Sequence, residues 1–107
     1  MELEYESIRR IVKNTLLKIC MAQKGDHFLI KPKQIAIRAR LSTKPLVLTL
    51  VRHALEEIRQ EGLSLPSGER VNIDIWSNSS HGIKYIITFP ERIKNKELPK
   101  EVVGVVV

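Results

Sequence analysis

The apolar periodicity of this chain changes once, at Gly62, and no other feature constrains its fold as much. Before Gly62, apolar residues recur at three- and four-residue steps, the spacing of a helix with about 3.6 residues per turn; after it they alternate, about every 2 residues, as in a strand. Tyr5, Ile8, Val12, Leu16 and Ile19, with Arg9, Arg10, Lys13 and Lys18 between them, predict a helix over 4–24 that Gly25-Asp26 stops. His27 to Ile30 is a short apolar connector with room for one small strand. Pro32 suits a first helical turn, and Lys33 to Leu41 continues as a short helix burying Ile35, Ala36 and Ala39. Ser42 and Thr43 offer capping hydroxyls, and Pro45 again fits a helical N-terminus, so a third helix should run from about Lys44 to Glu61. Gly62 should end it in the left-handed conformation.

Past Gly62, Val71, Ile73 and Ile75 alternate with Asn72, Asp74 and Trp76. A polar tip, Ser77 to Gly82, leads into a second run with Ile83, Tyr85, Ile87 and Phe89 on one face, which predicts a hairpin. Trp76, the one tryptophan, is expected to pack in the core or between strands rather than stack on a base. Pro90 and the charged stretch from Glu91 to Lys100 end the hairpin, and Glu101 to Val107 is either an extra strand or a loose tail. The expectation is one α+β domain spanning 1–107, with its core over about 5–90 and a C-terminal strand or tail over 91–107.

A chain of 107 residues, 43% hydrophobic and 28% charged, can bury one modest core. Its longest apolar runs, Pro45 to Val51 and Val102 to Val107, fall far short of the roughly 20 residues of a membrane span. The first ten residues, MELEYESIRR, lack the apolar centre of a signal peptide, so a cytoplasmic chain without a membrane partner is expected. The single cysteine, Cys20, agrees with a reducing compartment and reads as a small buried apolar residue. Without a secretion signal, the sequon at Asn78-Ser79-Ser80 carries no weight.

Net charge is +6, with a pI near 9.7, and its distribution says more than its sum. No acidic residue lies between Asp26 and Glu56, yet Lys31, Lys33, Arg38, Arg40, Lys44 and Arg52 fall in that window. A duplex carries about one negative charge per 1.7 Å of axis, so such cations gathered on one face would bind it by releasing counterions. A solvated face of a basic protein is the alternative on charge alone.

Helix, short helix, turn, longer helix ending in Gly62-Leu63, then a hairpin, with Ile35-Ala36, Leu41-Ser42, Val51, Leu55 and Ile58 at matching spacings, resembles a winged helix-turn-helix domain. The likeness is to small archaeal or bacterial transcription regulators and covers about residues 5–90. It implies three helices followed by a two-stranded wing, with the third helix in the major groove of double-stranded DNA and the hairpin on the adjoining backbone or minor groove. Thr43, Lys44, Thr49, Arg52 and His53 then take the polar positions of the third helix, and Ser79, His81 and Lys84 the wing. Lys31, Lys33, Arg38 and Arg40 would flank the groove through phosphates.

One feature departs from that pattern, because Leu46, Val47, Leu48 and Leu50 crowd helical turns that should be polar to meet base edges. Either the helix begins later, or its start packs on the first helix, or a second copy covers it. Self-association is the preferred reading, with Leu46, Leu48 and Leu50, and Val103 and Val105 of the valine-rich end, as a dimer or partner patch.

Converging reactive groups are scarce. His27, His53, His81 and Cys20 show none of the close spacings of metal sites, and Glu56, Glu57 and Glu61 read as a solvated helix face paired with Arg59 and Arg52. No phosphate loop or nucleophile elbow is visible, so neither catalysis nor a cofactor or small-molecule effector is expected. One Trp, two Tyr and two Phe leave few stacking platforms for single strands or RNA. The leading expectation is a homodimeric regulator on double-stranded DNA; the other is a protein-interaction module of a transcription, replication or chromatin assembly.

Overall fold

The computed structural model describes residues 4–96, and within them the chain is α+β, with four helices and a four-stranded antiparallel sheet. The order is α1 (Tyr5–Met21), β1 (His27–Ile30), α2 (Pro32–Arg38), α3 (Pro45–Glu61), β2 (Leu63–Ser64), β3 (Arg70–Ser79), β4 (Gly82–Thr88) and α4 (Pro90–Lys96). The sheet runs β1-β4-β3-β2, so the predicted hairpin is its centre and two short strands flank it. The connector at His27–Ile30 is a strand because it pairs with β4, His27 opposite Thr88 and Ile30 opposite Tyr85. The N–H of Phe89 extends this pairing by donating to the Asp26 carbonyl at 2.9 Å.

Periodicity explains which faces meet. α1 turns Ile8, Val12, Leu16, Ile19 and Cys20 inward, and α3 turns Val47, Val51, Ala54, Leu55 and Ile58 to meet them. Below lies the inner face of the sheet, with Val71, Ile73, Ile83, Tyr85 and Ile87 buried, and all of these belong to one core. At about 0.8 kcal/mol per buried methylene, this burial is the main force holding the helices on the sheet. Two rows of polar contacts run along the α1–α3 seam: the Tyr5 hydroxyl donates to Glu57 at 2.7 Å, and Arg9 pairs with both Glu57 and Glu61. Glu57 and Glu61 therefore serve α1 rather than Arg52; Glu56 does pair with Arg59, at 3.1 Å.

Several expectations are corrected here. Ala39 lies half-buried just past the end of α2. Gly62 has positive φ (90°), as expected of glycine, but its ψ of 155° is extended rather than left-handed helical, and it sends the chain directly into β2. The 91–96 stretch forms α4 rather than merely ending the hairpin. Trp76 is not packed in the core: it alternates with the inward-facing Val71 and Ile73 and so stands on the other face, 58% exposed, while the register of β3 against β4 slips between Ile75 and Ser77 and Ile75 is 43% exposed. Trp76 lies on the outer face of the sheet, around a hollow shared with Leu29, Ile86 and Ile93.

No helix among the described residues is long and apolar enough to cross a membrane.

Candidate nucleic-acid interface

Three elements converge on one groove of about 420 Å³. The start of α2 contributes Lys31, Pro32 and Lys33; the middle of α3 contributes Leu48, Thr49 and Arg52; the hairpin turn contributes His81, Gly82 and Ile83. Each contribution has a local cause. The backbone N–H of Lys31 donates to the Gln34 side chain at 2.8 Å, which sets the first turn of α2 with Pro32 buried beneath it. One turn into α3, Thr49 donates its hydroxyl to the Pro45 carbonyl at 2.9 Å, leaving Arg52 exposed on the next turn. At the hairpin end, Ser79 accepts from the His81 N–H at 3.2 Å, and Gly82 takes φ 110°, a conformation that disfavours any side chain.

The groove has an apolar floor and a cationic rim with no carboxylate in its lining. Four of the arginines outside the groove are matched, Arg9 with Glu57 and Glu61, Arg59 with Glu56, Arg70 with Glu91, and Arg92 with Glu69, while Arg10, Arg38 and Arg40 are in no ion pair among the described residues. Among the described residues, no ion pair ties Lys31, Lys33 or Arg52 to an acid. An anion entering the groove would meet charge that the protein has not already neutralised.

The other sequence-predicted residues are distributed differently. Arg38 ends α2, and Arg40, Thr43 and Lys44 follow on the exposed turn to α3, outside the groove lining. Arg40 takes a left-handed φ of 60°, and the N–H of the next residue, Leu41, closes α2 by donating to the Ala36 carbonyl at 2.8 Å. Lys84 is half-buried and shares a smaller hollow of about 170 Å³ with Lys31 and Gln34. His53 faces α1 instead of the groove, its ring 5.1 Å from that of Tyr5 and its Nε2 3.7 Å from Glu57.

The apolar start of α3 also has a structural account. Val47 is buried, Leu48 and Leu50 are half-buried against the core, and Leu46 alone stands out, at 73% exposure. An apolar patch of Leu46, Leu48 and Leu50 is therefore reduced to one prominent leucine, while Val103 and Val105 lie outside the described residues. Sequence reasoning did not anticipate the groove's floor of Pro32, Leu48 and Ile83, which no single-element pattern reveals.

Two phenols bond to carboxylates of α3, Tyr85 to Glu56 and Tyr5 to Glu57. Burial, and then the hydrogen bond to Glu56, pushes the Tyr85 hydroxyl up to about 12; burial and Glu57 do the same for Tyr5. Burial likewise pushes the Cys20 thiol up to about 11, so it remains protonated and unreactive near neutrality. Because folding raises each value, the folded chain keeps protons that the unfolded chain releases first. The stability these three groups contribute is then level below about pH 9 and falls between there and about pH 12. Urea melts across this range check it; an unchanged midpoint up to pH 12 would contradict it.

Compared with protein-family models, curated proteins and solved structures, the chain matches none. Among the described residues, no group of three or more His, Cys, Asp or Glu could hold a metal ion.

Proposed function

We propose that this protein binds double-stranded DNA through the groove, as a winged helix-turn-helix transcription regulator. In this reading α2 and α3 are the helix-turn-helix, α3 lies in the major groove, and the β3–β4 hairpin is the wing. The observation that carries the reading is the convergence of Lys31, Lys33, Arg52 and His81 from three elements on a carboxylate-free groove. Lys31 and Lys33, at the start of α2, contact phosphates and set register; Arg52, exposed on α3, reads a base edge. Assembly as a homodimer, with Leu46 in the interface, belongs to the same proposal and is read from sedimentation equilibrium.

The reading separates the roles of two cations. Lys33→Ala weakens binding to every duplex alike, whereas Arg52→Ala costs about 1–3 kcal/mol on preferred sequences and blurs the preference. Fluorescence anisotropy with duplexes selected from a random pool, and with scrambled ones, distinguishes the two. Equal losses on all sequences from both substitutions would remove Arg52 as a base reader.

The reading as a protein-interaction module retains one observation in its favour, the exposed Leu46 beside the turn into α3. A monomer that binds no duplex would favour it.

A further inference from the structure

We propose that Thr49 reads thymine through its methyl group, so that the groove selects duplexes carrying an A·T pair next to the base that Arg52 contacts. The inference rests on the DNA-binding reading and names the base chemistry within it.

Thr49 and Arg52 lie three residues apart on α3, so they share one face of the helix, and both are exposed and line the groove. An α3 that brings Arg52 to a base edge therefore brings Thr49 to a neighbouring one. The hydroxyl is the one polar group of the Thr49 side chain, and its proton is committed. It donates to the Pro45 carbonyl, one turn back, at 2.9 Å. Because hydroxyl and methyl branch from one Cβ, a bond that fixes the first also fixes the second. Turning the hydroxyl outward to donate to a ligand would break that bond. What Thr49 keeps for a ligand is a methyl and an acceptor lone pair.

The surroundings favour the methyl. Pro32, Leu48 and Ile83 give the groove an apolar floor, and its lining holds no carboxylate or amide side chain. An adenine or cytosine amine brought over this floor would lose water and find no such group to receive its proton. Of the groups that base pairs present in the major groove, the thymine C5-methyl is the apolar one. Phosphates account for the cationic rim, and a thymine methyl accounts for the floor.

Deoxyuridine differs from thymidine by that methyl alone. Replacing each thymine of a selected duplex in turn should find a position at which wild-type affinity drops roughly threefold to fivefold, the worth of burying one methyl. Thr49→Val keeps the methyl and removes the hydroxyl, so it should retain this thymine-to-uracil ratio. Thr49→Ser keeps the hydroxyl and removes the methyl, so the ratio should fall close to one. In both variants the affinity for a scrambled duplex and the salt dependence should match the wild type, since no phosphate contact is touched. Failure of the wild type to bind any duplex would overturn the DNA-binding reading and this role with it. Normal duplex binding with no position sensitive to uracil, or with the wild-type ratio kept in Thr49→Ser, would overturn the methyl reading alone. Loss of the ratio in Thr49→Val but not in Thr49→Ser would overturn it too, and would assign the contact to the hydroxyl.

Discussion

Arg92→Ala should lower the unfolding free energy by about 3 kcal/mol, more than any other single exposed or half-buried polar substitution in the fold. Arg92 sits in α4, a helix too short to hold itself in place, and its guanidinium uses every edge. Nε and one terminal nitrogen grip Glu69 in the β2–β3 connection at 2.7 and 3.0 Å. The other terminal nitrogen donates to the carbonyls of Gln23 and Gly25, at 2.9 and 2.8 Å, between α1 and β1. The flat face lies 4.0 Å from the centre of the buried Phe89 ring. Alanine would leave two carbonyls and a mostly buried carboxylate without their donor and release three segments at once. A lysine offers one point charge in place of a planar fork, so Arg92→Lys should recover only part of the loss. The matching drop in melting temperature is roughly 12–24 °C for a chain of this size. A loss under about 0.5 kcal/mol in urea melts would show the clamp to be ornamental.

Reversing the charge of Lys31, Lys33 and Arg52 together should weaken duplex binding roughly a hundredfold or more at low salt, with each change costing under about 0.5 kcal/mol of stability. The asymmetry follows from exposure. All three side chains are exposed and none sits in an ion pair within the described residues, so folding does not depend on their sign. Binding does, because two phosphate contacts and one base contact would become three repulsions and the counterions on the duplex would no longer be released. Arg10→Glu, an equally exposed reversal on α1, is the control and should change affinity little. A loss from Arg10→Glu as large as about a third of the triple reversal's, in log affinity, would trace binding to net charge alone.

Much of the helical half was legible because its apolar spacing is regular. The step from Ile8 through Val12, Leu16 and Ile19 located α1, and Pro45 and Gly62 bracket α3 in the sequence as they do in the fold. The strands were less legible where tertiary contact overrides alternation. Alternation with the buried Val71 and Ile73 already sets Trp76 on the face away from the core, against its expected burial, but no local signal marks the register slip between Ile75 and Ser77. β2 is two residues long and exists only because Leu63 and Ser64 meet Val71 and Arg70. The charged run that becomes α4 is held by Arg92, whose partners lie 23, 67 and 69 residues away in sequence. The cations of the site were visible as an acid-free window from Asp26 to Glu56, but which of them share a groove was not. Folding brings Lys31, Lys33 and Arg52 together, sets Arg38, Arg40 and Lys44 outside the lining, and turns His53 toward Tyr5. The same tertiary pairing hid the Tyr85–Glu56 contact, which joins residues 29 apart.

The central claim is that an unneutralised cationic groove takes up a phosphate backbone, and the ionic-strength dependence of duplex affinity measures it most directly. Each phosphate neutralised contributes about −0.9 to the slope of log affinity against log salt. The wild type should therefore show a slope steeper than about −1.8, and replacing Lys31, Lys33 and Arg52 by alanine should flatten it by about 1.8, the share of the two phosphate-contacting lysines, with the fold unchanged. A wild-type slope near zero, or one that the triple replacement leaves as it was, would contradict the account.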